Sequence, residues 1–141
     1  MHFLDTGLAA YLAGWTDAKV LESGAASEQF FKTFAFLEVY KSFVCSGKRA
    51  PLVHFRSNDR KSIDILMEQN GTLYPIEVKK TASPSRKDAR NLSALDPVAA
   101  DDVADALAQY KRNIGTGCIL CLTQDTYPVS DRAWAFPVWA V

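Results

Sequence analysis

Residues Ile63 to Lys80 read IDILMEQNGTLYPIEVKK, and this stretch decides the fold. Asn70-Gly71 stands between two apolar runs and is the strongest short-range hairpin signal a sequence carries. A two-residue turn there fixes the register of the flanking strands. Gln69 then faces Thr72, Met67 faces Tyr74, Ile65 faces Ile76, and Ile63 faces Val78. Met67, Tyr74, Ile65, Ile76, Ile63 and Val78 are all apolar and share one face, which must be buried. Side chains alternate along a strand, so Leu66 meets Pro75, Asp64 meets Glu77 and Ser62 meets Lys79 on the other face.

That second face poses a problem of charge. Two carboxylates placed directly opposite, with Cβ atoms about 5 Å apart, destabilise a sheet, and more so where the site is dry. A raised pKa on one acid would relieve the repulsion, as would the ammonium of Lys79 or a divalent cation. Hard carboxylate oxygens suit Mg²⁺ or Mn²⁺. Lys79 beside such an ion would orient a water or stabilise charge developing on a phosphorus centre. The plainer alternative is a solvated strand face on which Lys79 neutralises Glu77.

Working outward, Leu52 to Arg56 alternates like a strand, and Ser57-Asn58-Asp59-Arg60 reads as a turn. Before it, SEQFFKTFAFLEVYKSF from Ser27 to Phe43 predicts a long, aromatic-rich helix. Phe31, Phe34, Glu38 and Lys41 fall on one helical stripe, which predicts that Glu38 points inward. Asp5 predicts the cap of a short helix through Leu12 that Gly14 ends, with another turn starting at Thr16 or Asp17. After the hairpin, a polar helix is expected over 84–95 and a clearer one from Ala100 to Asn113. Cys118 to Leu122 reads as a buried strand. A last strand falls within Ala133 to Val141, with Pro137 placing it near an edge or a bulge. The acids Asp96, Asp101, Asp102 and Asp105 suit a helix start and need no metal. The order predicts an α/β domain with a central mixed sheet flanked by helices.

Composition narrows the function. The chain has 141 residues, enough for one domain, and 48% of them are hydrophobic, enough for a core. Sixteen basic and sixteen acidic residues cancel, so contact with nucleic acid requires a local patch. Lys79 to Arg90 supplies five basic side chains, of which Lys80, Arg86, Lys87 and Arg90 are the candidates for phosphate contact. No apolar run reaches membrane-spanning length, and residues 1–15 lack the pattern of a signal peptide. Cys45, Cys118 and Cys121 are few and odd in number, which points to a reducing cytoplasm. Cys118 and Cys121 have C-x-x-C spacing, but on a strand they face opposite ways and read as structural thiols.

Asp64, Glu77-Val78-Lys79 and Glu38 on a preceding helix together resemble the PD-(D/E)xK nuclease superfamily. Most of the chain resembles a domain of unknown function that follows an AAA-type ATPase module in many bacterial and archaeal proteins. Phe3 to Leu12, Phe34 to Lys41, Phe55-Arg56, Ile63 to Leu66, Pro75 to Lys80 and Phe136 to Trp139 carry that likeness. The resemblance implies a restriction-endonuclease-like fold over 1–141, with a helical lead-in over 1–25 and the nuclease-like core over 26–141. It implies a metal-dependent nuclease with Asp64 and Glu77 as ligands of Mg²⁺ or Mn²⁺, Lys79 as catalytic lysine and Glu38 as the helix carboxylate. It implies DNA, an ATPase module or homologous subunits as partners. A module that binds DNA or protein without catalysis is the alternative. Where the family often carries a Glu, just after an aromatic in the first turn of the central helix, this chain has Lys32. It also has no Gly-rich phosphate loop, so no ATP site is expected in these residues.

Overall fold

The computed structural model describes residues 4–15, 17–56, 62–95 and 113–141. The expected turn at 57–60, the acids Asp96, Asp101, Asp102 and Asp105, and the helix expected from residue 100 lie outside the described residues. Asn113, the last residue of that helix as expected, instead begins a strand.

Two short helices lead in. Helix α1 (Thr6–Leu12) is capped by Asp5, whose Oδ1 accepts from the Leu8 N–H at 2.9 Å. Helix α2 (Ala18–Ser23) is capped in the same way by Asp17, through the Lys19 N–H at 2.8 Å. Both caps satisfy backbone donors that a helix start leaves open. Helix α3 (Ser27–Cys45) is the long central one. Phe31, Ala35, Val39 and Phe43, each four apart, pack against Ile65, Ile76, Val78 and Leu120 of the sheet. Thr33 and Leu37 are buried on another side.

The strands are β1 (Leu52–Arg56), β2 (Ser62–Gln69), β3 (Thr72–Val78), β4 (Asn113–Ile114), β5 (Gly117–Cys121), β6 (Tyr127–Ser130) and β7 (Ala133–Pro137). They form one mixed sheet in the order β1-β2-β3-β5-β7-β6, with β4 also on β3. Strands β3, β5 and β7 run parallel, while β1, β2 and β6 are antiparallel to their neighbours. The domain is therefore mixed α/β. Central β5 reads GCILC because both of its faces are covered: Ile119 and Cys121 are buried on one face and Leu120 on the other. The second layer is a 3₁₀ turn, Arg90–Leu95, whose Ala94 and Leu95 pack on Ile63, Leu66 and Leu73. It replaces most of the polar helix expected over 84–95, because Asp88 ties the N–H and hydroxyl of Ser85 into a local turn. Strand β7 is the last, as expected, but the edge belongs to β6, a strand the sequence did not signal.

The hairpin turn is as the sequence required. Asn70 and Gly71 have φ of 52° and 74°, the left-handed pair that matches strand twist. The register runs from Gln69↔Thr72 through Met67↔Tyr74 to Ile65↔Ile76. It departs from expectation at its far end. Between Val53↔Leu66 and Phe55↔Ile63, only His54 of β1 stands opposite both Asp64 and Ile65 of β2. This is a β-bulge, which re-aims side chains. Beyond it Ile63 no longer shares a face with Ile65. Ile65 faces α3, whereas Ile63 joins Leu66 against the Arg90–Leu95 turn.

Candidate functional site

The bulge and the end of β3 bring the charged residues together. Beyond Ile65↔Ile76 the Asp64 carboxylate enters the ladder, and its Oδ2 accepts from the Val78 N–H at 3.0 Å. Its Oδ1 accepts from the ammonium of Lys32 at 2.9 Å, with the two side chains only 23% and 17% exposed. Both oxygens of Asp64 are thus engaged. Glu77, beside Ile119 of β5, is 1% exposed. Lys79 lies 3.9 Å from its Oε2, outside hydrogen-bond reach, and Oε1 is the one buried side-chain oxygen among the described residues with no partner.

The electrostatics follow from this packing. Burial, and then the neighbouring Asp64 charge, push the Glu77 carboxyl up from 4.5 to about 7; Lys79, Lys32 and the Asn91 amide oppose the rise without cancelling it. For Lys32, burial opposes the charged form. The Asp64 hydrogen bond and the charges of Asp64, Glu77 and Glu28 outweigh it, so Lys32 is raised above its usual value and stays an ammonium. Asp88 is held low by the Ser85 N–H first, against burial, and then by the Ser85 hydroxyl and the Lys79 charge. Two acids and two cations therefore face one another at the carboxyl end of β3, the end of parallel strands where α/β sheets place their sites.

Asp64, Glu77, Lys79 and Lys32 lie near one another, but the direct Asp64–Glu77 and Ser62–Lys79 pairings expected from the turn are not among the ladder pairs, which run only as far as Ile65↔Ile76. Glu38 does not join them on α3: its Oε1 pairs with Lys41 at 3.1 Å on the surface, 34% and 55% exposed. The stripe it shares with Phe34 turns outward, since Phe34 is 39% exposed. The reason is geometric: Glu38 lies six residues past Lys32, about 9 Å along the axis and on another side of the helix. Lys80 is also engaged, its ammonium donating to the Glu22 carbonyl and the Ser27 hydroxyl at the α2–α3 junction. Arg86, Lys87 and Arg90 are exposed. The thiols behave structurally: Cys118 packs on the α3 side and Cys121 on the other, and burial, then Cys121, pushes Cys118 up to about 12. Among the described residues, no group of three or more His, Cys, Asp or Glu is placed to hold a metal.

The family model described as Domain of unknown function (DUF4143) matches residues 27–141. The chain belongs to this family. The match begins at the first residue of α3 and takes in every strand, so Lys32, Asp64, Glu77 and Lys79 all lie inside the DUF4143 domain, while α1 and α2 precede it. No curated protein and no solved structure gives a significant match. Among the described residues, no helix is long and apolar enough to cross a membrane.

Sequence reasoning missed three contributors to the site. Lys32 was visible only as a departure from the family pattern. Glu28 lies four residues before it, a spacing that places both on one helix face. Asn91 reaches Glu77 from the 3₁₀ turn, and no local pattern announces it.

Proposed function

We propose that this DUF4143 domain is a PD-(D/E)xK-type module for metal-dependent hydrolysis of nucleic-acid phosphodiesters. The observation that carries this reading is Glu77, a buried carboxylate with an unpartnered oxygen, set beside the second acid Asp64. A buried, unpartnered carboxylate oxygen is costly. The donors available, two carboxylates and nothing softer, fit a hard divalent ion such as Mg²⁺ or Mn²⁺, with water completing its shell. When bound, such an ion would supply Lewis acidity toward a phosphoryl oxygen.

The chain's own groups have separate tasks. Asp64 is fixed by the Val78 N–H on Oδ2, so the direction of Oδ1, which the Lys32 ammonium holds, is set by the backbone. Lys79, a quarter exposed, stands at the solvent side of Glu77, where its ammonium would face the charge that builds on a phosphate in the transition state. Arg86, Lys87 and Arg90 would hold the strand through its phosphates, which a chain of zero net charge can do only locally. The mixed sheet with α3 on one face and the 3₁₀ turn on the other supports a restriction-endonuclease-like reading of the fold. An attached ATPase module and a cytoplasmic setting belong to the same reading.

A second reading, a DNA- or protein-binding module without catalysis, is favoured by one observation: Lys32 already neutralises Asp64. Thermal unfolding separates the two. Millimolar Mn²⁺ should raise the melting temperature of the wild type by about 3 to 5 °C over chelator, through binding to the native state alone. Asp64→Asn should lose that rise, and Mn²⁺-dependent cleavage of single- or double-stranded DNA should disappear with Asp64→Asn and Lys79→Ala. Superimposable wild-type melting curves with Mn²⁺ and with chelator would overturn the metal-site reading and leave the binding module.

A further inference from the structure

Both oxygens of Asp64 already hold a donor. Oδ2 is held by the Val78 N–H at 3.0 Å, and releasing it would open the end of the β2–β3 ladder. The other oxygen, Oδ1, carries the Lys32 ammonium at 2.9 Å. Any cation that binds Asp64 and Glu77 together therefore sits on a carboxylate that already holds the Lys32 ammonium. An ammonium and a divalent ion at neighbouring positions in a part-buried site repel strongly. The two cannot share the acid pair.

We propose that Lys32 is a tethered counter-ion with two seats: on Asp64 when the acid pair holds no metal, and on Glu28 when a divalent ion takes Asp64 and Glu77. This proposal rests on the metal reading of the site given above. The second seat is built into α3. Glu28 precedes Lys32 by four residues, the spacing and order in which a helical Glu–Lys pair is most favourable. Glu28 is exposed and lies in the first turn of α3. Its negative charge already acts on Lys32 across this face. The flexible four-carbon stem of a lysine lets the ammonium move between such partners without moving the helix. The bulge at Asp64 and the start of α3 thereby make a device that sets how tightly the site takes metal. An intramolecular cation at high effective concentration competes for one ligand oxygen.

The test is calorimetric titration of MnCl₂ into the 141-residue chain, with no substrate present. Lys32→Met should bind Mn²⁺ about ten- to a hundredfold more tightly than wild type, the range expected from removing one charge-assisted competitor. Lys32→Arg, which keeps the charge, should stay near wild type. Glu28→Gln should bind a few-fold more weakly, because the displaced ammonium loses its seat, and the same change should do nothing in the Lys32→Met background. If Lys32→Met fails to fold by circular dichroism, Lys32→Gln replaces it, and the surface variant Glu28→Gln still gives an independent answer. Equal or weaker Mn²⁺ binding by the Lys32 variants, with wild type binding normally, overturns the two-seat proposal and leaves the metal site standing. Absence of Mn²⁺ binding in wild type and in the Lys32 variants overturns both.

Discussion

The two ends of the β2–β3 hairpin are built by different rules. At the turn, Asn70 and Gly71 take the left-handed conformations their types favour, and the strands leave it in perfect register. Nothing else in the molecule is needed to specify that end. At the other end the ladder gives way to a bulge, a side chain accepts the backbone bond, and two acids are held together by cations and by burial. That arrangement exists only because α3 and the 3₁₀ turn press on it. Locally consistent structure surrounds the place where local rules are broken, and the candidate site sits at the break.

The sharpest way to test this contrast is through pH at the strained end. Burial and Asp64 raise Glu77 from 4.5 to about 7, so the folded protein keeps a proton that the unfolded chain gives up. The resulting stability is fully present below about 4.5 and is lost as the pH rises through 7. Over that window the loss should be roughly 3 kcal/mol, at 1.36 kcal/mol per pKa unit. Glu77→Gln stays neutral and should remove this slope. Urea unfolding of both proteins at pH 4.5 and pH 8 measures it, and equal slopes would mean that the acid pair is not under strain.

The turn end should respond to conformation alone. A Cβ on Gly71 would meet no atom within 4 Å, but its φ of 74° disfavours any side chain. Gly71→Ala should cost about 1 to 2 kcal/mol by the same unfolding assay, with the pH slope of wild type intact. A change in that slope would show the two ends to be coupled.

The smallest effect belongs to Glu38. Its pair with Lys41 is a surface i,i+3 contact, so Glu38→Gln should shift stability by no more than about 0.5 kcal/mol. It should also leave Mn²⁺ stabilisation unchanged. Loss of the metal response in this variant would return Glu38 to the site.

These contrasts explain what could be read beforehand. The hairpin, its register from Gln69↔Thr72 to Ile65↔Ile76, the Asp5 cap, the central helix and the mixed α/β class follow from short-range patterns and were legible, while the start of α2 was narrowed only to Thr16 or Asp17. The bulge was not, because it depends on how β1 pairs across Asp64, and no Gly marks it. The facing of α3 was not, because Phe30, Phe31, Phe34, Phe36, Leu37 and Val39 make its circumference apolar nearly all round and leave no single stripe to follow. Strand β6 has four residues with Pro128 among them, too few to show alternation. Asp64, Glu77 and Lys79 could be named together as candidates because one hairpin carries all three. Lys32 and Asn91 come from elements distant in sequence, and only the packed fold shows them.

The crossover from β3 to β5 also sets an order in time. Asp64 and Glu77 are joined by a tight hairpin, which forms on the microsecond scale. Lys32 lies 32 positions before Asp64, and Ile119, which walls in Glu77, arrives only after the whole crossover has closed. Distant pairings are the slow ones. A chain on its way to the native state therefore meets its like charges before it meets most of what reconciles them, and a proton on Glu77 is the companion that needs no chain closure at all. Mildly acidic solution should then act on this domain as a folding aid.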